Sequence, residues 1–75
     1  MLNFEDLIHL YSIWLKKEKR VNLNNKAQSR YKFLKIQYIE LMFQFYKDKN
    51  YNETSNDILK KIHRISLEIN SIIIE

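Results

Sequence analysis

Apolar side chains return along the first segment at Phe4, Leu7, Ile8, Tyr11, Trp14 and Leu15. Steps of three and four residues keep such positions on one side of a helix, so the spacing predicts a helix over residues 4–20 and not a strand. Both ends carry matching polar signals. Asn3 is placed to accept from a free backbone N–H of the first turn, and Asp6 stands three residues on, as in a capping box. Lys16, Lys17, Lys19 and Arg20 gather at the negative end of the helix dipole. The run Asn22-Leu23-Asn24-Asn25 then interrupts the pattern, because asparagine side chains compete for backbone hydrogen bonds and accept left-handed conformations.

A second helix is predicted over 26–49, where Ala27, Tyr31, Leu34, Tyr38, Leu41 and Phe45 alternate by four and three in a heptad seam. Asn50-Tyr51-Asn52 makes the next break, and Thr54 with Asp57 reads as the cap of a third helix over 55–73. Ile58, Ile62, Ile65, Ile69 and Ile72 repeat the same alternation there. Short joints favour antiparallel neighbours. The expected fold is therefore all-α, a three-helix up-down-up bundle forming a single domain over residues 1–75.

The apolar positions outnumber these seams. In the second helix Ile36, Ile39, Phe43 and Tyr46 form a second stripe nearly opposite the first, so the helix calls for burial on two sides. A central position between two other helices would satisfy part of that demand. Leu10 and Ile13 add a surplus on the first helix, with Trp14 bridging it to the main stripe, and Leu67 with Ile74 adds a smaller one on the third. Three surpluses in one short chain predict an exposed contact surface. Leu10, Ile13, Trp14, Ile36, Ile39, Phe43 and Tyr46 are the expected interface residues, and the expected assembly is a helical homodimer or a complex with another protein.

Composition sharpens this expectation. At 75 residues the chain is in the size range where a single core gives marginal stability. It has no cysteine, glycine or proline, which removes disulfides, thiolate metal ligands, Gly-rich phosphate loops and nucleophile elbows together. Oligomerisation or a partner is the support left to such a chain. Ten Lys, eight Asn and eleven Ile are residues of A+T-rich codons and hint at a bacterial or mobile-element origin. The N-terminus carries Glu5 and Asp6 where a secretory signal carries cations, and no apolar run approaches the roughly 20 residues of a membrane span. A cytoplasmic location is expected, with no membrane partner.

The formal net charge of +4 is uneven. Lys16, Lys17, Lys19, Arg20, Lys26, Arg30, Lys32 and Lys35 face the single Glu18 within one stretch, which carries +7 and leaves −3 for the rest. These cations collect where the first helix hands over to the second. Such a corner can complement the helix dipole, steer an acidic partner or contact phosphates without reading base sequence. Nucleic-acid binding through Lys16 to Lys35 is thus the alternative function. No cofactor or metal is expected, because His9 and His63 have no ligand pair at helical spacing. His63, Ser66 and Asn70 run along one edge of the third helix, but a bundle without loops gives no oxyanion pocket to make them catalytic. Ser66-Leu67-Glu68-Ile69-Asn70 resembles the Ser-x-Glu-Leu-Asp motif of the small sporulation aspartyl-phosphate phosphatases, which are helical hairpins. The resemblance covers five residues and puts Asn70 at the acidic position, so no activity is carried over. The function expected from the sequence is a non-enzymatic protein-protein interaction module: a regulator, inhibitor, immunity protein or secretion chaperone.

Overall fold

Asparagine side chains set the starts of the first two helices. In the computed structural model, which describes the backbone of residues 3–47 and 53–73 and the side chains of residues 3–47 and 56–73, the elements are α1 (Phe4–Glu18), α2 (Asn25–Lys47) and α3 (Glu53–Ile73). Asn3 accepts from the Asp6 N–H at 2.9 Å while the Asp6 carboxylate accepts from the Asn3 N–H at 3.1 Å, the reciprocal cap expected at α1. Asn24 does the same work for α2, accepting from the Ala27 N–H at 2.8 Å, and this lets the helix begin one residue before the predicted start. At the other end of α1 the Arg20 N–H bonds to the Lys17 carbonyl, a three-residue turn that closes the helix at Glu18 and not at residue 20. The third helix starts at Glu53, so Thr54 lies inside it; the Thr54 side chain and the Asn50-Tyr51-Asn52 joint lie outside the described residues.

The three helices form the all-α bundle that the periodicity predicts. Its core joins Leu7 and Trp14 of α1, Tyr31, Leu34, Tyr38, Met42 and Phe45 of α2, and Ile58, Ile62, Ile69 and Ile73 of α3. The seam departs from the heptad in one respect. Met42 is buried where Leu41 was expected, and Ile73 is buried while Ile65 and Ile72 are only partly covered. Buried positions recur at seven residues from Leu7 to Trp14, Tyr31 to Tyr38, Tyr38 to Phe45 and Ile62 to Ile69, and also at eleven from Tyr31 to Met42, Leu34 to Phe45, Ile58 to Ile69 and Ile62 to Ile73. Eleven residues close three turns of a nearly straight helix, whereas a heptad drifts by about 20° per repeat unless the helices supercoil.

Backbones approach most closely between α2 and α3, and α1 stands further off the pair. Large side chains fill that wider gap. The Trp14 ring meets Tyr38 edge-on at 4.7 Å between centroids, and the Tyr11 ring lies parallel to Tyr38 at 6.1 Å. Their polar tips then fix the register of α1. Tyr38 OH donates to the Leu7 carbonyl at 2.6 Å, and Trp14 Nε1 donates to Asn70 Oδ1 at 2.8 Å. No buried side-chain nitrogen or oxygen among the described residues lacks a partner, as a stable interior requires.

Candidate docking face

With α1 and α3 both packed against the Tyr38 side of α2, the opposite side of that helix is left uncovered. Ile36, Phe43 and Tyr46 are 57%, 52% and 53% exposed. Placed at 100° per residue with Tyr38 at zero, Phe43 and Ile36 fall near 140° and 160°, directly away from the core. Ile39, at the border of this side, is partly covered. Tyr46 lies toward α1, where Phe4 packs on its ring at 4.6 Å.

The first-helix part of the expected contact surface is different. Trp14 is fully buried, so its assignment to the interface is corrected: its indole N–H reaches Asn70 and its ring packs on Tyr38, which makes it a core side chain. Leu10 is partly buried and packs against the core, and Ile13 is intermediate in exposure. The exposed apolar residue of α1 is Ile8, one turn beyond Phe4, which the spacing assigned to the main stripe. Phe33 is also half exposed and went unassigned. It stands three residues before Ile36, so the i, i+3 neighbour rule applied to the second stripe would have found it. Leu67 is exposed on α3 as the pattern implied, and Ile74 lies outside the described residues.

Two of the eight corner cations are engaged inside the molecule. Lys35 Nζ donates to Glu18 Oε2 at 2.8 Å and sits 4.7 Å from the Tyr31 ring centroid. Arg30 pairs with Glu68 at 2.7 Å, bridging α2 to α3 on an exposed surface where such a pair is worth little. Glu18 also accepts from Tyr31 OH at 2.6 Å. Burial alone would raise the Glu18 pKa, but the hydrogen bonds from Lys35 and Tyr31 outweigh it and hold the carboxyl below its ordinary value. Burial raises the Tyr31 and Tyr38 phenols, and Tyr31 is raised further by its hydrogen bond to Glu18. This cluster is a structural pin between α1 and α2. Lys16, Lys19, Arg20, Lys26 and Lys32 remain exposed and Lys17 is partly covered.

The edge of α3 gathers no reactive constellation. Ser66 Oγ donates to the Ile62 carbonyl at 2.8 Å, Asn70 is taken by Trp14, and His63 faces solvent. An open cleft of about 450 Å³ runs between α2 and α3, lined by Phe33, Leu41 and Ile65 together with Gln37, Lys61 and Arg64. Among the described residues no three His, Asp or Glu side chains cluster as a metal site, and no helix is long and apolar enough to cross a membrane. No protein-family model, curated protein or solved structure matches the chain.

Proposed function

We propose that the chain is a small non-enzymatic protein-protein interaction module that docks through the outer side of α2. It would act in the cytoplasm as a regulator, inhibitor, immunity protein or secretion chaperone, with a homodimer as one form of the same docking. The observation that carries this reading is the set of half-exposed Phe33, Ile36 and Phe43 on the outer side of one helix. Each leaves roughly 100 Å² of apolar surface. Together they make roughly 300 Å², within the size range of the largest patch on an ordinary monomer, concentrated here on a very small one. The total accessible surface, 5770 Å², compares with about 5,000 Å² for a compact monomer of this mass. The elongated 40 × 20 × 17 Å shape accounts for part of that surplus.

The exposed corner cations support a steering role in which charge raises the association rate more than the final affinity. The nucleic-acid alternative loses one of its cations, because Lys35 is held by Glu18 in the pin between α1 and α2. Pull-downs from the native host separate the two readings. Ile36→Ser/Phe43→Ser should lose the proteins that the wild type retains, whereas Lys17→Glu/Arg20→Glu should keep them and bind them more slowly. Proteins retained equally by the Ser variant would overturn the docking reading. Salt-sensitive duplex binding that disappears in Lys17→Glu/Arg20→Glu would put nucleic acid in its place.

A further inference from the structure

The outer side of α2 also carries two charges whose placement selects an occupant. Lys32, Ile36 and Glu40 follow one another at four-residue steps and are all exposed, forming a single ridge along the helix. Neither charge has an opposite charge on its own helix at the distances that allow pairing. The neighbours of Lys32 at three and four residues are Gln28, Ser29, Lys35 and Ile36, and those of Glu40 are Ile36, Gln37, Phe43 and Gln44. The two are about 12 Å apart along the helix, too far to reach each other. The ion pairs among the described residues are Arg30 with Glu68 and Lys35 with Glu18, so Lys61 and Arg64 across the cleft do not hold Glu40 either.

From this pattern we infer that the occupant of the face is a second copy of this chain, with its α2 crossing antiparallel over Ile36. The inference rests on the docking reading above and names the partner and the register. A ridge that reads cation, apolar, anion is complementary to itself only when one copy is reversed. Reversal sets Lys32 beside Glu40 of the partner subunit and Glu40 beside Lys32 of the partner subunit, with the two Ile36 side chains at the twofold axis. A parallel arrangement would oppose like charges at both ends. At a crossing of roughly 50° the four-residue ridges of two helices run parallel and lie side by side, each in the other's groove, which keeps Lys32 next to Glu40 of the partner subunit. The rows on either side carry Phe33 on one flank and Ile39 with Phe43 on the other, so apolar contact continues around the central ridge.

Analytical ultracentrifugation of the purified full chain, from low micromolar to sub-millimolar concentration, tests the inference. The wild type should dimerise reversibly. Lys32→Glu alone and Glu40→Lys alone should each weaken dimerisation by about tenfold or more, since each makes two like-charge contacts. An equimolar mixture of the two variants should recover it, because a mixed dimer restores opposite charges at both ends. Ile36→Ser/Phe43→Ser should be monomeric with an unchanged helical circular dichroism signal. A wild type that stays monomeric throughout, a dimer indifferent to both charge reversals, or a mixture that does not recover would each overturn the self-pairing. A monomeric wild type that still loses its host proteins on Ile36→Ser/Phe43→Ser would overturn the second copy as occupant and leave the docking reading standing.

Discussion

Tyr38 and Phe43 are aromatic neighbours five residues apart on α2, and their surroundings are opposite. Tyr38 is fully buried, packs against two rings of α1 and gives its hydroxyl hydrogen to the Leu7 carbonyl. Phe43 is half exposed with no aromatic partner among the described residues. The same contrast runs along the whole helix. On the inner side Tyr31 and Tyr38 carry a polar tip that ends on a named acceptor, and Trp14 of α1 does likewise. On the outer side Phe33, Ile36 and Phe43 have no polar tip to anchor. Buried aromatics with satisfied donors specify one arrangement, whereas exposed apolar side chains do little for the monomer and gain only when another surface covers them. One side of α2 therefore builds the fold and the other is left available.

Substitutions on the inner side should break this contrast most strongly. Trp14→Ala opens a cavity and orphans the Asn70 acceptor, at a cost of about 3–5 kcal/mol. A chain of this length has roughly 4–11 kcal/mol in total, so urea titration followed by circular dichroism should find the variant partly or wholly unfolded. Asn70→Leu is smaller. It leaves the buried Trp14 N–H without an acceptor and should cost about 1–3 kcal/mol in the same titration. Tyr38→Phe should fall at the low end of that range, because it removes a donor and leaves only a carbonyl that lost one of its partners.

The pin at Glu18 gives a pH signature of intermediate size. Its folded-state pKa lies below the ordinary value of 4.5, so its stabilisation is complete above that value and is lost as pH falls through the lower, folded one. Glu18→Gln should flatten the acid limb of the stability profile. The phenols act in the opposite direction. With Tyr31 and Tyr38 raised above their ordinary 10.0, stability is complete below pH 10.0 and declines as pH rises through the folded values. Tyr31→Phe should reduce that alkaline decline, read from denaturation midpoints across the pH range.

The sequence made the helices legible because apolar spacing at three and four residues is set by helix geometry alone, and the Asn3-Asp6 cap was legible because both partners lie in one turn. The exact core positions were not. Heptad counting placed Leu41 and Ile72 inside, whereas Met42 and Ile73 are the buried side chains, a difference that depends on how the helices cross. Trp14 was misplaced for a related reason. Its position on α1 sits between two stripes, and it is held inward by partners far along the chain, the Tyr38 ring and Asn70, the latter 56 residues away. Ile36 and Phe43 were legible as surplus because they oppose a seam on the same helix, where no tertiary knowledge is needed; Tyr46, exposed as expected, turns toward α1 instead.

Ile36→Ser and Phe43→Ser should have the smallest effect on the isolated fold, each within about 0.5 kcal/mol as for other surface substitutions. Urea unfolding of the double variant beside the wild type, both dilute enough to be single chains, tests the central claim most directly. The account predicts unfolding free energies equal to within about 1 kcal/mol. A loss of about 4 kcal/mol or more, as two core side chains would give, would contradict it, because the outer side of α2 would then be holding the chain together.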